Sequence, residues 1–393
     1  LINSDILKSL GFQAELLSQN LEYHIDGNHL FTNAKALYFS STFLDCERSE
    51  IWREKAAKIL HECLENHFYE DGCYFERSPS YQLIICEDLL DLKVLSDCLN
   101  DHLESDQLNK KINSMAKKAF EFTQQIFIHQ STPLFNDSVP DSSNYFLKLF
   151  NYAQKTFGGD FFSEKSEKVK LTKSNFLVVN QNKYDLIANC FGPSPRFQPG
   201  HFHDGIFAFE AWFKGHKIIT NLGISTYENN ETRLLEKSSK YQNVININGE
   251  GSALIWSSFR LANRPRVEID NKSLSDEEYE ITFRNNGFKH KKVPFHFKKF
   301  KFKEDSVFIE DKFKSKRNLN LEHRIFLESN VEFDSENSSI IFEGKPIIKI
   351  ISKSPIYHER LGTPFEFGKY INRSLIKVQN SNRNILSFEL KII

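Results

Sequence analysis

The chain has 393 residues, which is long enough for two domains with a substantial buried core. Its 51 basic and 52 acidic residues nearly cancel, so the overall charge predicts no nucleic-acid partner and no attraction to an anionic membrane. The sequence contains no apolar run of about 18 residues, which a membrane-spanning helix would require.

Two features at the level of the whole chain concern its location. The chain starts at Leu1 without a charged and then apolar leader, so we expect a processed or truncated beginning. Its six cysteines contain no CxxC pair, and their number neither demands nor excludes an oxidising compartment.

Six stretches of similar length in the first part of the chain carry apolar residues at helical spacing. Short polar turns separate these stretches, which begin near Ile6, Leu30, Ile51, Pro79, Leu108 and Tyr145. Helices that follow one another in this way predict stacked antiparallel hairpins, which form either an α/α toroid or a solenoid.

The pattern changes after Gly158 and Gly159. From Phe176 to Ile393, short runs of β-branched and aromatic residues alternate with turns. Many short strands at regular spacing predict a large antiparallel β-sandwich. We therefore predict an α-helical part over residues 1–158 and an antiparallel β-sandwich over residues 159–393.

The helix that starts near Pro79 carries a tyrosine in its first turn. Ser78 is expected to cap this helix, with Pro79 at the first helical position. Tyr81 then lies where unpaired N–H groups and the helix dipole favour an anion, and Arg77 would add to this effect. A phenol with a pKa of about 10 needs such help to act as a base near neutral pH. A tyrosine at this position is more often a core or rim residue, and both interpretations stay open.

The helix that starts near Asp26 carries an amide in its first turn. Asp26 or Asn28 would serve as a simple cap. The functional alternative is that the helix start and the neutral Asn28 amide together bind a substrate carboxylate.

The stretch Pro193–Tyr227 presents two histidines between a constrained loop and a predicted hairpin. Prolines and glycines precede His201 and His203, and an alternating run from Ile206 to Phe213 follows them. Residues two apart in an extended segment project to the same side at a spacing of about 6.6 Å, so both imidazoles can serve one pocket. Imidazole suits proton transfer and metal binding, but a pair of structural histidines is an equally good interpretation.

The basic and aromatic stretch His290–Lys303 resembles a nucleic-acid patch in composition. Strands with phenylalanine inward and lysine outward, interrupted by a bulge or turn near Lys298 and Lys299, explain the pattern without a ligand. A polyanionic sugar is the second interpretation.

Several stretches, in this order, resemble motifs of the heparinase II/III family of polysaccharide lyases. They are Leu21–Leu37, Asp71–Gln82, Glu87–Leu92, Pro133–Asp137, Gln198–Asp204, Gly223–Glu228 and Leu321–Arg324. The resemblance implies an incomplete (α/α) toroid followed by a β-sandwich, with the active site in the cleft between them. It also implies an acidic polysaccharide as substrate and the periplasm or cell envelope of a bacterium as location.

The implied reaction is β-elimination at a uronic acid. By the family pattern, Asn28 would neutralise the uronate carboxylate, while Tyr81 and His201 would act as base and acid in an order that depends on the sugar. Candidate substrate-binding residues are His24, His29, Glu76 and Arg77.

Many members of the family bind a metal, often zinc, through two histidines and an aspartate. The matching positions here are His203, Asn221 and Gln242. Because two amides are poor zinc ligands, we expect no metal cofactor and a centre held by hydrogen bonds among these three side chains. This departure keeps open a second function, that of an inactive or repurposed relative that binds cell-surface or capsular glycan.

Overall fold

The structure is a computed structural model that describes residues 4–98, 106–139, 144–158, 167–275 and 278–393. The chain separates into two compact units. The first comprises Leu1–Phe75, Tyr81–Thr123 and Tyr145–Ser163, and the second comprises Glu76–Ser80, Gln124–Asn144 and Glu164–Ile393. The predicted boundary after residue 158 adjoins residues 159–166, which lie outside the described residues, so that division stays a prediction.

Helices form the first unit, as predicted. Leu37, Leu60 and Leu89 come from three different helices and are all fully buried, which is why the apolar spacing was visible in the sequence. The helices are α1 (Ser4–Gln19), α2 (Gly27–Phe43), α3 (Ser49–Asn66), α4 (Pro79–Cys98), α5 (Asp106–Ile126) and α6 (Tyr145–Phe157).

Two hydrogen bonds tie the start of α4 to the segment around Asp137. Pro79 is the first helical residue, as expected. The hydroxyl of Ser78 donates to the carbonyl oxygen of Asp137 at 2.9 Å. The N–H of Ser80 donates to the hydroxyl of Ser138 at 3.2 Å. These bonds fix the segment around Asp137 against the residues that open α4.

Antiparallel strands dominate the second unit, which also contains α7 (Glu231–Lys237). The described strands form sheets of five (β1-β2-β3-β4-β5), eight (β14-β15-β16-β19-β12-β11-β10-β9), four (β17-β18-β13-β6) and two (β7-β8) strands. The strands are β1 (Val169–Leu171), β2 (Phe176–Asn180), β3 (Tyr184–Asn189), β4 (Phe209–Phe213), β5 (His216–Ile219), β6 (Ile245–Ile247), β7 (Ile255–Ser257), β8 (Arg260–Leu261), β9 (Val267–Leu274), β10 (Tyr279–Asn285), β11 (Phe295–Lys303), β12 (Ser306–Lys314), β13 (Leu319–Phe326), β14 (Val331–Asp334), β15 (Ser339–Phe342), β16 (Lys345–Ser352), β17 (Ile356–Glu366), β18 (Lys369–Arg383) and β19 (Ile385–Ile392).

One hydrophobic core joins the three larger sheets. Leu186 on β3, Phe300 on β11 and Ile325 on β13 belong to it and are fully buried. Every second residue of β10 is buried, so one face of its sheet covers the core. Burial of a phenylalanine such as Phe300 contributes about 1.5–3 kcal/mol. This core supports the loops that carry the site.

Strand β11 contradicts part of its prediction. It pairs with β10 and β12 without a register shift, so the bulge predicted near Lys298 does not form. His296 and Lys298 therefore share the buried face with Phe300. Phe295 and Phe297 lie on the opposite face. The prediction of phenylalanine inward and lysine outward is wrong for the first half of this strand.

Asp311 on β12 explains why basic side chains lie in the core. Its carboxylate lies 2.8 Å from Nε2 of His296 and 3.0 Å from Nζ of Lys298. Lys298 also donates to Nε2 of His323 on β13 at 3.0 Å. A buried charge is tolerated when it is paired and hydrogen-bonded in this way. The hydrophobic pattern of β11 gives no sign of that partner, which lies 13 residues further along the chain.

The remaining lysines of β11 lie on its outer face next to carboxylates. Lys299 lies 2.9 Å from Glu280, and Lys301 lies 2.8 Å from Glu278. These pairs offset the positive charge that suggested a polyanion-binding surface.

Candidate functional site

The loop with the two histidines precedes a hairpin, as predicted. Strands β4 and β5 form the hairpin, with Lys214 and Gly215 between them. The first strand begins at Phe209 rather than at Ile206. Phe207 explains the difference, because its φ of 70° is incompatible with strand backbone. Residues 201–208 therefore form an irregular loop, supported by the strands that follow.

A single carboxylate, that of Asp137, binds both imidazoles. One of its oxygens lies 2.8 Å from Nδ1 of His201, and the other lies 2.7 Å from Nε2 of His203. Arg233 on α7 contacts the same two oxygens at 2.6 and 2.7 Å. We call Asp137, His201, His203 and Arg233 the Asp137 cluster. Both imidazoles thus bind one carboxylate, while their joint service of a pocket stays a prediction.

The Asp137 carboxylate is ionised. Burial alone would raise the pKa of Asp137, but Lys237, the two imidazole N–H groups and Arg233 hold it well below its usual range. A completely buried carboxylate with this many donors is an acceptor in all of its contacts.

His201 lies between two carboxylates. Its Nε2 is 3.7 Å from Oε2 of Glu76, while its Nδ1 bonds to Asp137. Burial lowers the pKa of His201, but the negative charges of Glu76 and Asp137 outweigh burial and raise it above the ordinary value. The structure thus brings together two residues that the sequence analysis named separately, Glu76 and His201.

Helix α7 directs two cations at this loop. Arg233 and Lys237 lie four residues apart, so both occupy one face of the helix. Nζ of Lys237 donates to the carbonyl oxygen of Gly200, the residue before His201, at 2.5 Å. Burial lowers the pKa of Lys237 to about 7, against the attraction of Asp137 and with the repulsion of Arg233.

The predicted hydrogen-bonded centre is confirmed. Nδ2 of Asn221 donates to Oε1 of Gln242 at 2.7 Å. Nε2 of Gln242 lies 3.3 Å from Nδ1 of His203. The amide orientations are determined by backbone groups, because Asn221 also donates to the carbonyl of Leu134 and Gln242 to that of Glu236. The centre is fully buried.

The side chains of this centre do not fit a metal ion. Gln242 donates to Nδ1 of His203, so His203 must carry its proton on Nε2, which faces Asp137. Burial lowers the pKa of His203 to about 4 despite the nearby carboxylate, which agrees with a neutral ring. Both ring nitrogens are thus in use. Among the described residues, no group of three or more histidine, cysteine, aspartate or glutamate side chains is arranged to hold a metal ion.

Three candidate residues lie around the start of α2 in the first unit. Asn28 is the second residue of α2 and is half-buried, whereas His24 and His29 are exposed. Nδ1 of His29 is 3.3 Å from Glu22. Asp26 makes no capping bond to α2 and instead lies 3.1 Å from Nε2 of His67, so its predicted role as a cap is wrong.

Tyr81 and Arg77 flank the start of α4. Tyr81 is the third residue of the helix and is half-buried. Arg77 belongs to the second unit and has a φ of 51°. Its guanidinium lies 4.5 Å from the ring centroid of Phe191, and its carbonyl accepts from Asn136 at 2.8 Å.

Sequence reasoning assigned no role to Asp137, Arg233 or Lys237. Asp137 stands in a stretch that resembles the family, which was the only signal for it. The cations on α7 had no signal, because a seven-residue helix has too few turns for a clear pattern.

Helices in one unit, antiparallel sheets in the other and a buried cluster of imidazoles around a carboxylate define a multidomain α+β protein. Residues 164–368 match the family model described as heparinase II/III-like, C-terminal, and residues 4–162 match that of the heparinase II/III N-terminus. The chain belongs to the heparinase II/III-like family.

Two relatives are heparin-sulfate lyases from Bacteroides species. The protein from Bacteroides stercoris is 21% identical over 246 residues, which cover 58% of this chain and 36% of the relative. That from Bacteroides thetaiotaomicron is 30% identical over 158 residues, which cover 38% of this chain and 22% of the relative.

Solved structures share the fold. A heparan sulfate lyase from Pedobacter heparinus matches with a TM-score of 0.75 at 17% identity, over 99% of this chain and 63% of the other. A heparinase III matches with a TM-score of 0.79 at 17% identity, over 99% of this chain and 64% of the other. Identities this low establish the fold alone, and the chain spans less than two thirds of these relatives.

Proposed function

We propose that this chain carries the catalytic centre of a polysaccharide lyase that acts on a uronic-acid-containing glycosaminoglycan. The Asp137–His201 pair in a member of the heparinase II/III-like family is the observation that carries the proposal. The substrate class rests on the names of the relatives, heparin-sulfate and heparan sulfate lyases.

The reaction needs three groups. A base removes the weakly acidic proton at C5, which is possible only if the neighbouring carboxylate is neutralised. The bond from C4 to the glycosidic oxygen then breaks, its electrons leave with the oxygen, and a C4–C5 double bond forms. An acid protonates the departing oxygen.

His201 suits the role of acid. Its pKa is raised because Glu76 and Asp137 outweigh the effect of burial, so the imidazolium form persists closer to neutral pH. With Nδ1 bound to Asp137, the proton available for transfer is the one on Nε2.

Tyr81 then takes the role of base, and Asn28 that of neutralising the uronate. Both roles rest on the family pattern. The position of Tyr81 in the first turn of α4 supports its role, because the helix dipole stabilises a tyrosinate there. A neutral amide such as Asn28 donates hydrogen bonds to a carboxylate without adding charge.

We also propose that the centre works without a metal. The support is that both nitrogens of His203 already have partners and that Asn221 and Gln242 present amides. The test is to add zinc to the purified chain, separate it from unbound metal and measure zinc content. Tight uptake of one equivalent would overturn the proposal.

The lyase proposal is tested with the full chain and a panel of uronate polymers that includes heparan sulfate, heparin and alginate. Elimination creates an unsaturated uronate that absorbs in the near ultraviolet. Tyr81→Phe and His201→Gln should each lower kcat by about 10²- to 10⁴-fold. Tyr357→Phe, at an exposed position on β17, is the matched control and should leave the rate unchanged. Glycan binding without any absorbance change would instead support the non-catalytic alternative.

A further inference from the structure

We infer that Asp137 is a positioning residue for the reaction proposed above, and the inference rests on that proposed function. Asp137 holds a proton on Nδ1 of His201 throughout the reaction, so that Nε2 is the nitrogen that exchanges a proton with the sugar.

The first support is the sharing of one carboxylate by two rings. Each oxygen of Asp137 accepts from a different imidazole, at 2.8 Å from His201 and 2.7 Å from His203. An ionised carboxylate has no proton to give, so both ring nitrogens must be donors. Asp137 thereby determines the protonation pattern of both histidines together.

The proton position of His203 is determined a second time by Gln242, which donates to its other nitrogen. Nε2 of His201 lies 3.7 Å from Oε2 of Glu76, on the side of the ring opposite the bond to Asp137. His203 would therefore retain its tautomer through Gln242 if Asp137 were altered.

The second support is the rigidity of Asp137 itself. Its backbone N–H donates to the carbonyl of His201 at 3.1 Å, and its own carbonyl accepts from Ser78 at 2.9 Å. Arg233 donates from Nη2 to one carboxylate oxygen at 2.7 Å, and its Nη1 lies 2.6 Å from the other. The carboxylate thus has little freedom to rotate away from either ring.

The position of the proton matters because an acid must present its N–H to the departing oxygen. If the neutral ring left after transfer moved its remaining proton from Nδ1 to Nε2, its return to the imidazolium would need a new proton on Nδ1, which faces the buried Asp137. With Nδ1–H held by Asp137, only Nε2 loses and regains a proton. Similar carboxylate–imidazole pairs are known to act by fixing tautomer and orientation.

The first experiment reads the tautomers directly, without reference to activity. Chain labelled with ¹⁵N-histidine is studied by NMR at alkaline pH, where the rings are neutral, and His201→Gln identifies the signal of His201. The expected result is a proton on Nδ1 of His201 and on Nε2 of His203. A proton on Nε2 of His201 in the unaltered chain overturns the inference, whether or not the chain has lyase activity.

The second experiment separates kcat from KM. Asp137→Asn replaces the two acceptor oxygens of the carboxylate with one acceptor oxygen and one donor NH₂ group. Because Gln242 keeps the proton of His203 on Nε2, the amide oxygen accepts from His203. The NH₂ group then faces Nδ1 of His201, which must lose its proton and change tautomer. We expect a loss of about 10²- to 10⁴-fold in kcat with little change in KM. Asp185→Asn is the matched control, because Asp185 also bonds to an imidazole, that of His129 at 2.7 Å.

The outcomes separate the inference from the proposed function. An active unaltered chain with full kcat in Asp137→Asn overturns the inference and leaves the lyase proposal standing. An inactive unaltered chain with the expected tautomers overturns the lyase proposal and leaves the positioning of His201 standing. If Asp137→Asn fails to fold, Arg233→Lys serves in its place. Arg233→Lys keeps the positive charge but loses the second contact to Asp137. We expect it to lower kcat by less than the loss predicted for Asp137→Asn.

Discussion

At the scale of single residues, His203 differs from a metal ligand through its partners rather than its position. One ring nitrogen donates to Asp137 and the other accepts from Gln242, so the ring has no lone pair to offer. Gln242 in turn accepts from Asn221 through its other side-chain atom, Oε1. Replacing these two amides should therefore be enough to change the chemistry of the centre.

We predict that the double variant Asn221→Asp with Gln242→His gains a zinc site. Zinc accepts imidazole and carboxylate ligands at about 2.0–2.2 Å, and hydrogen bonds already link the three side chains in one buried centre. The measurement is metal content after gel filtration, with the melting temperature as a second readout, since a ligand bound only by the folded state stabilises it. Each single variant is the control and should bind less zinc. No uptake by the double variant would contradict the prediction.

Gly223 is a residue whose side chain would have no room. A Cβ atom there would lie 2.2 Å from the carbonyl oxygen of Ser138, and φ is +62°. We predict that Gly223→Ala lowers the free energy of unfolding by more than about 1 kcal/mol. Gly249→Ala isolates the effect of the backbone angle, because φ is +77° there and nothing lies within 4 Å. Equal losses in urea unfolding of the two variants would contradict a clash at Gly223.

At the scale of elements, α7 and β11 each carry cations whose burial depends on a carboxylate from another segment of the chain. The seven residues of α7 provide Arg233 to Asp137 and Lys237 to the loop before His201. Strand β11 provides Lys298 and His296 to Asp311 on the adjacent strand. In both cases a cation is buried because a carboxylate from another element neutralises it.

The buried histidines around β11 make stability depend on pH. Burial lowers the pKa of His323 to about 3, and burial also lowers that of His296, against 6.5 in a model peptide. Below pH 6.5 the unfolded chain takes up protons that the folded chain excludes. We therefore predict that the free energy of unfolding falls as pH decreases from 6.5 towards 3.

Urea unfolding at several pH values checks this prediction. His323→Gln should reduce the dependence on pH. A free energy of unfolding that is constant between pH 7 and pH 4 would contradict the assignment of neutral buried rings.

At the scale of the whole molecule, the sequence predicted the helices and strands better than the side-chain contacts between them. The six helices that the structure describes from α1 to α6, including the first residue of α4, followed from apolar spacing and from Pro79. The resemblance identified His201, His203, Asn221 and Gln242, and the hydrogen bonds among the last three followed from their chemistry. The contacts of Asp137, Arg233 and Asp311 did not, because they join segments far apart in the chain, and no local pattern encodes such pairs.

The cysteines provide a prediction for the entire chain. All six are free thiols, of which Cys46 and Cys98 are exposed and the other four are buried. Burial raises the pKa of Cys63 and of Cys86 to about 12, which suppresses the reactive thiolate. A thiol reagent should therefore modify two cysteines in the native chain and six in denaturant. A melting temperature that falls on addition of reductant would contradict the free-thiol state.

The hydrogen bonds that join Asn221 and Gln242 to His203 have a consequence for how this centre is assembled. Every partner in it belongs to the same polypeptide, so its occupancy is independent of the concentration of any dissolved component. A site completed by an ion is filled only as far as the surroundings supply that ion. On the proposal of a metal-free centre, we expect the loop that carries His201 to adopt its arrangement as part of folding itself, in metal-poor and metal-rich media alike.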